Sequence, residues 1–344
     1  MRDPLPPPAP PASPSAGALL AANWPILLGL ALLALVPTVA SALDNPFYIR
    51  LFTRAVIFAM VAVSLNFVLG FGGLVSLMHA SLFGVGAYVV AILAHHDYES
   101  TTLFGFAGAD DLAISIPLAI LASALVAGLS GLVSLRTSGS YFIMITLAFN
   151  QMLYYFFVAL QQYGGEDGLQ ILGNLHFAGL QITQRVTFFY VTLGVLAVLL
   201  LLFARLVQSR FGVILRATAQ NERRVVALGV PPLRYKLAAF VISGAVAGLA
   251  GALWATGQGF VSPSDLSWVR SGDYVVMAVL GGMARVWGPV FGALLFVLLE
   301  AFLPSWTDFW QLPFGLVVIL IVVFLRGGLV DLLGSGTSGK GERT

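Results

Sequence analysis

The stretch that decides the fold runs from residue 186 to residue 256. It reads VTFFYVTLGVLAVLLLLFA over 186–204, QSRFGVILRATAQNERRVVALGVPPLRYK over 208–236 and LAAFVISGAVAGLAGALWAT over 237–256. The first and last of these segments have the length and apolar character with which a helix crosses a bilayer, about 20 residues. The middle segment is basic. The pattern therefore predicts two membrane spans joined by a charged loop.

The rest of the chain resembles these flanks in composition. Of 344 residues, 59% are hydrophobic and 9% are charged, and the surface of a water-soluble protein requires far more charge. The sequence predicts an all-α polytopic membrane protein with about eight to ten transmembrane helices, some broken at Gly. The predicted spans are 26–43, 55–69, 74–94, 112–135, 141–160, 186–204, 237–256, a broken element at 274–299, and 309–325.

The charges predict how the chain is oriented. If the N-terminus and the loop 205–236, here the basic loop, are cytoplasmic, thirteen of the 17 Lys and Arg residues lie on that side, in agreement with the positive-inside rule. Both termini are then cytoplasmic. We expect a disordered Pro-rich tail at 1–22, a transmembrane domain at 23–330, and a flexible tail at 331–344.

Two glycine pairs interrupt apolar segments near the same predicted side of the membrane: Gly72 with Gly73, and Gly281 with Gly282. Glycine permits a helix break, which transporters use to line a path. It also permits close helix packing in lipid. Both interpretations are open at this stage.

The residue inventory excludes several classes of function. The chain has no Cys and no phosphate-binding loop motif, and its four His residues form no metal-binding or nucleophile pattern, so we predict no catalytic residue, no metal and no bound cofactor. The basic residues flank apolar spans, which argues against nucleic acid. His79 is a candidate for structural pairing or for a solute path. Arg270 and Asp273 are expected to form an interfacial ion pair, and Glu300 an interfacial anchor.

The basic loop has the features of a docking helix. Residues 216–228 combine an incomplete apolar face with a charged one, and Gly229 is expected to end the helix. Such a helix lies either on anionic headgroups or in a groove of a partner protein. The mixture of Asn221 and Glu222 with arginines favours a protein groove.

This loop resembles the coupling helix of ABC importer permeases, whose pattern A-x-x-x-N-E-x-x-A-x-x-x-G stands here as Ala217, Asn221 with Glu222, and Gly229. The resemblance extends to GFGGLVSLMHASLFGVGAY (70–88), SGSYFIMITLAFNQM (138–152), GGEDGL (164–169), YKLAAFVISGAVAGLAGAL (235–253) and GGMARVWGPVFGA (281–293). Together these segments resemble the M-type permease subunit of branched-chain amino-acid ABC importers over roughly residues 55–300.

The resemblance implies a permease subunit in the bacterial inner membrane that translocates branched-chain amino acids delivered by an extracytoplasmic solute-binding protein. It implies a homologous second permease and two cytoplasmic ATPase subunits, which would bind the ATP and Mg²⁺. The implied coupling residues are Arg216, Ala217, Asn221, Glu222, Arg223, Arg224 and Gly229. Polar groups beside the helix breaks suggest a solute path along Ser76, His79, Tyr88, Tyr141 and Thr146.

Some positions depart from the family pattern. The family commonly carries an acidic residue where Ser140 stands and a Glu where Gln151 stands, and Met78 and Arg285 replace small residues. These departures leave urea or short amides as an alternative solute class. A gradient-driven secondary carrier is the rival mechanism, and it would need no ATPase partner.

Overall fold

The computed structural model describes residues 24–42, 44–103, 106–108, 110–172, 176, 184–283, 285–307, 309–324 and 328. Both predicted tails, 1–22 and 331–344, lie outside this part of the chain. Thirteen helices occupy the described ranges. They are α1 Trp24–Ala34, α2 Val36–Ala42, α3 Pro46–Asn66, α4 His79–Tyr98, α5 Leu112–Ser134, α6 Ser140–Ala159, α7 Arg185–Gln208, α8 Arg210–Gln220, α9 Glu222–Ala227, α10 Pro232–Gln258, α11 Trp268–Gly281, α12 Gly288–Phe302 and α13 Gln311–Phe324.

The all-helical prediction is confirmed. Seven helical stretches in the described ranges are long and apolar enough to cross a membrane, and two shorter apolar helices lie at 29–40 and Gln311–Phe324. A π-helical turn, Phe67–Phe71, extends α3, and short 3-10 turns join other elements. Within the described ranges, two antiparallel two-residue pairs form, β1 (Thr102–Leu103) with β2 (Phe106–Ala107), and β3 (Leu169–Gln170) with β4 (Phe260–Val261), together with an isolated bridge between Asp111 and His176.

Several predicted spans have different boundaries in the structure, among them 55–69, which lies within the longer helical stretch Pro46–Phe71. The span predicted at 74–94 begins only at His79, because Gly73 has a positive φ of 67° and the residues after it are not helical. The first span is divided between α1 and α2 at Leu35, two residues before Pro37, whose ring cannot continue a regular helix. The broken element is longer than predicted and consists of α11 and α12, separated by residues 282–287.

The helices give the bundle two ends. At one end, which we call the Arg54 end, the first turns of α3 and the last turn of α12 meet through Arg54 and Glu300. At the other, the loop end, Gly73 lies beside Ala219 of the basic loop. Gly328 packs against Gly282, also at the loop end. The two helix breaks and the basic loop therefore share one end of the molecule.

Helix α10 lies at the centre of the bundle, packed against α4 and α5. Glycines make this packing close: a Cβ placed on Gly86 would collide with the backbone of Gly248, and one on Gly251 would collide with the carbonyl of Phe83. Small residues let membrane helices approach this closely and gain dispersion contacts. By contrast, most of α5 and α6 faces outward, with large apolar side chains exposed.

Candidate coupling surface and solute path

The basic loop forms two helices, so the single helix predicted over 216–228 is wrong. Asn221 is extended, with φ −157° and ψ 93°, and separates α8 from α9. Its side-chain oxygen accepts a hydrogen bond from the Arg224 backbone N–H at 3.0 Å, which makes it the N-cap of α9. Asn is among the best N-cap residues because its oxygen satisfies a free N–H group of the first turn. The Asn-Glu pair therefore starts a new helix.

The predicted end of the helix at Gly229 is confirmed. Gly229 has a φ of 79°, a left-handed conformation that glycine adopts without a Cβ clash. Its N–H donates to the carbonyl of Val226 at 2.9 Å, and the next N–H, of Val230, donates to Val225 at 3.3 Å. This is a Schellman motif, which satisfies the last carbonyls of the helix.

Two of the predicted coupling residues hold the loop in place. Arg216 donates to the carbonyls of Val207 at 3.1 Å and Gly212 at 3.3 Å, so it fastens α8 to the end of α7. Glu222 accepts a hydrogen bond from Lys236 at 2.7 Å, and this lysine is buried. Both side chains therefore bond within their own chain.

The outward surface of α9 carries cations beside apolar groups. Arg223 and Arg224 are exposed and form no ion pair among the residues that the structure describes. Val226 is 54% exposed and Leu228 is 76% exposed, whereas Val225 is buried. Arginines next to unburied aliphatic side chains are typical of a surface that docks into a partner's groove. We call these four exposed residues the α9 tip.

The basic loop touches the first helix break, and that break touches the second. A Cβ placed on Gly73 would lie 3.1 Å from the Cβ of Ala219 in α8. The side-chain amide of Asn66, in the last turn of α3, donates to the backbone carbonyl of Arg285 at 3.1 Å, across the second break. Gly282 has a φ of 105° at that break. Helix α8 thus contacts the first break directly, and the segment from Asn66 to Gly73 connects this contact to the second break.

Most of the predicted path residues are buried at the start of α4 and along α6. Ser76, His79 and Thr146 are 0% exposed and Tyr88 is 1% exposed. Thr146 accepts a hydrogen bond from the Leu77 backbone N–H at 3.3 Å, whereas Tyr141 is 73% exposed at the loop end of α6. The structure thus groups Ser76, His79 and Thr146 and separates Tyr141 from them.

His79 and Tyr88 each have one unsatisfied polar atom. His79 Nε2 hydrogen-bonds the Ser243 hydroxyl at 2.8 Å, as the structural interpretation of this residue expects. Its Nδ1 is buried and has no partner among the described residues. Tyr88 stacks on Phe157 with ring centroids 4.2 Å apart, and its buried hydroxyl also lacks a described partner. These two atoms leave hydrogen-bonding capacity beside α4.

Comparison with known proteins gives the family. Residues 47–325 match the family described as "Branched-chain amino acid transport system / permease component". This chain belongs to that permease family. The LivM permease proteins of Salmonella typhimurium and Escherichia coli, named as parts of a high-affinity branched-chain amino acid transport system, are each 28% identical over 304 residues, covering 81% of this chain and 69% of theirs. BraD of Pseudomonas aeruginosa is 26% identical over 291 residues, 79% of this chain and 91% of its own. No solved structure matches significantly.

A buried polar network at the centre of this permease was not predicted from the sequence. The Asn150 side-chain oxygen accepts hydrogen bonds from the Ser81 hydroxyl at 2.7 Å and the Ser81 backbone N–H at 3.2 Å. Its amide donates to the Leu266 carbonyl at 2.9 Å, and the Ser271 hydroxyl lies 3.4 Å from its oxygen. The network joins α4, α6 and α11. An Asn inside an apolar span was the available signal, because such groups require partners in lipid.

Gln151, at the position where the resemblance led us to expect Glu, follows directly in α6. Its side-chain oxygen is buried and has no hydrogen-bond partner among the described residues. A neutral amide can be buried in this way at far lower cost than an ionised carboxylate. The substitution is thus compatible with the site without a compensating cation.

Four charged residues form an ion cluster at the Arg54 end of the permease: Arg54, Arg270, Asp273 and Glu300. Arg54 pairs with Glu300. Arg270 lies 3.6 Å from Asp273, which confirms the predicted pair, and 3.9 Å from Glu300. Both guanidinium groups also lie over the Phe58 ring, at 5.2 and 5.8 Å. The cluster connects α3, α11 and α12, so Glu300 has a more specific role than an interfacial anchor.

No group of three or more His, Cys, Asp or Glu side chains in the described part of the chain is placed to hold a metal ion. Outside the spans, Asp265 accepts a hydrogen bond from the Trp254 indole at 3.3 Å, and burial raises the pKa of its carboxyl above the usual range against the opposing effect of Arg270.

Proposed function

We propose that this permease subunit works in an ATP-driven importer of the ABC type and carries branched-chain amino acids that an extracytoplasmic solute-binding protein delivers. Two cytoplasmic ATPase subunits and a homologous second permease would complete the complex. The observation that supports the proposal is the α9 tip, an exposed surface of arginines and aliphatic side chains. The helix before it, α8, contacts the first helix break through Ala219 and Gly73.

The proposed mechanism is alternating access. ATP binding would close the partner subunits and displace the α9 tip together with α8. Arg216 and Glu222, which fasten the two helices to the rest of the chain, would pass part of this displacement to the neighbouring spans. The contact between Ala219 and Gly73 would pass this displacement to the first break, and the bond between Asn66 and Arg285 would pass it to the second. The two breaks would then open the solute path toward one side of the membrane at a time.

The proposed orientation places the loop end in the cytoplasm and the Arg54 end outside, in the bacterial inner membrane. The concentration of Lys and Arg in the basic loop supports it by the positive-inside rule. Gly29 packs against Phe291 near the start of α12, which brings the beginning of the described chain toward the loop end. Both termini would be cytoplasmic.

The first prediction concerns the solute. Deletion of the gene is expected to abolish ATP-dependent uptake of labelled leucine, isoleucine and valine, and the restored gene is expected to recover it. Urea uptake, measured in the same cells, should not change. Loss of urea uptake with normal amino-acid uptake would move the solute to amides, and uptake that persists after ATP depletion would instead favour a gradient-driven carrier.

The second prediction concerns the path. The chain has no native Cys, so single cysteines can be introduced without background. We expect Ser76→Cys and Thr146→Cys to react with a water-soluble maleimide in one nucleotide state and to be protected in the other, because both sites are buried and only an open path would hydrate them. Leu201→Cys, on the exposed apolar face of α7, is the control and should stay unreactive in both states. Reactivity that ATP does not change at Ser76 and Thr146 would contradict the path.

A further inference from the structure

A basic cavity lies at the Arg54 end, next to the ion cluster. It has a volume of about 70 Å³ and lies between the first turns of α3, the first turn of α7 and the last turn of α10. A buried water needs at least about 10–15 Å³ of such space, so the cavity admits a group as large as several waters. Three arginines line it, Arg50, Arg54 and Arg185, and none of its described lining residues is acidic.

The charges around the cavity are not balanced within the described structure. Arg54 and Arg270 are neutralised by Glu300 and Asp273 in the ion cluster. Arg50 and Arg185 line the cavity with exposed side chains and form no ion pair among the described residues, so they add two positive charges that have no described counter-ion. Arg54 adds a buried Nε–H that also lacks a partner there. An N–H group excluded from water and left unbonded costs free energy, which an acceptor in the cavity would recover.

The surrounding groups favour an anion with several oxygens. Arg50 and Arg54 are four residues apart and share one face of α3. Arg185 is the first residue of α7, where the helix dipole attracts negative charge. The N-cap residue, Gln184, makes no side-chain capping hydrogen bond there. The Thr53 and Thr256 hydroxyls donate to backbone carbonyls of their own helices, so their oxygens remain acceptors. The donors that remain for a ligand therefore come mainly from guanidinium groups, which match phosphate geometry.

The cavity opens beside an apolar surface. In the first two turns of α7, Val186 is 43% exposed and Tyr190 is 42% exposed, and the Tyr190 hydroxyl donates to the Ala34 carbonyl at 3.2 Å. Tyrosine is enriched at the depth of lipid headgroups, with apolar residues facing the acyl chains. A phosphate diester whose chains run along α7 would therefore satisfy the arginines and cover the apolar surface together.

We propose that Arg50, Arg54 and Arg185 form a binding site for a phosphate ester or phosphate ion at the Arg54 end. The phosphate of an anionic phospholipid headgroup and free phosphate are its two sources. Occupancy would link α3, α7 and α10 through one anion. This site is independent of the transported solute and of ATP coupling.

The test compares two variants with equal loss of charge. Arg50→Gln with Arg185→Gln removes the uncompensated cations and leaves the Arg54 pair intact. Arg136→Gln with Arg205→Gln removes two exposed arginines at the loop end. The full-length chain is purified from membranes with the subunits that remain bound to it. Native mass spectrometry then measures binding of dioleoylphosphatidylglycerol, dioleoylphosphatidylcholine and inorganic phosphate.

Wild type and the Arg136/Arg205 variant are expected to bind one phosphatidylglycerol tightly, and the Arg50/Arg185 variant to bind it at least about tenfold more weakly. If inorganic phosphate does not compete, the source is the lipid headgroup. If inorganic phosphate binds wild type and is lost in the Arg50/Arg185 variant, the source is free phosphate. If the two double variants bind phosphatidylglycerol equally and also bind inorganic phosphate equally, the proposed site is overturned. The two variants should have equal circular dichroism spectra and equal elution volumes, which checks that both remain folded.

Discussion

Replacement of Arg223 by Glu together with Glu222 by Lys is expected to abolish solute uptake while the complex continues to hydrolyse ATP. Arg223 is an exposed cation of the α9 tip, and reversing its charge would place a carboxylate where the proposed ATPase groove would accept a guanidinium. Like charges at a docked contact cost about 2 kcal/mol or more, equivalent to about 30-fold weaker docking. Uptake and ATPase activity are measured on the same proteoliposomes.

The Glu222→Lys substitution needs a control variant of its own, because Glu222 pairs with the buried Lys236. Glu222→Lys alone would leave two cations facing each other and destabilise the loop from within. The exchange Glu222→Lys with Lys236→Glu restores the internal pair and still reverses the surface charge at position 222. If Glu222 serves only to fasten α9, this exchange will transport normally. If it also contacts the ATPase, the exchange will remain uncoupled.

Arg234→Glu is the matched surface control. Arg234 is exposed at the start of α10, within the basic loop but outside the α9 tip, so the charge reversal made there, which is the same as the one at Arg223, should leave uptake near the wild-type rate. Uptake by the Arg223/Glu222 variant equal to that of Arg234→Glu would refute docking by the α9 tip. Equal amounts of all variants in the membrane are a condition of the comparison.

The sequence was sufficient to predict the spans, because a bilayer imposes length and apolarity on every helix that crosses it. It could not place the helix start at His79. Residues 74–78 are as apolar as their surroundings, and composition does not distinguish a helical from an extended apolar run. The actual boundary depends on Gly73, whose positive φ is a property of the folded backbone.

The candidate site was predictable where the signal was local. Asn221 and Gly229 are a helix start and a helix end that sequence rules describe, although the prediction used only the second of them. The bonds of Glu222 to Lys236 and of Asn150 to Ser81 join residues 14 and 69 positions apart. Such pairs follow from tertiary packing and leave no periodic signal along the chain.

The parallel course of α4 and α6 shows how far such contacts extend. Leu77 meets Thr146 and Ser81 meets Asn150, each pair with a separation of 69 residues, and Tyr88 stacks on Phe157 at the same offset. The two helices therefore stay in register over three turns. Of the predicted path residues, Thr146 and Tyr88 lie along this contact, so opening a path there requires the two helices to separate or rotate.

The prediction with the largest expected effect on folding is Gly86→Leu. At Gly86, the backbones of α4 and α10 are in contact, and even a Cβ would collide with the carbonyl and Cα of Gly248. Backbone atoms cannot move away by changing a rotamer, so the helices would have to separate and lose the close packing on which the centre of the bundle depends. We expect a loss of at least about 3 kcal/mol, seen as little folded protein on fluorescence-detected gel filtration.

Gly194→Leu is the matched control for this substitution. Gly194 is also inside a membrane helix, but it is exposed on α7 and no atom lies within 4 Å of a Cβ placed there. Leucine is the better helix former and adds apolar surface toward lipid, so the Gly194→Leu protein should melt at or above the wild-type temperature. Gly86→Ala should fall between them, because its methyl group alone meets the Gly248 backbone. A Gly86→Leu protein that folds and melts like Gly194→Leu would disprove the close contact of α4 with α10.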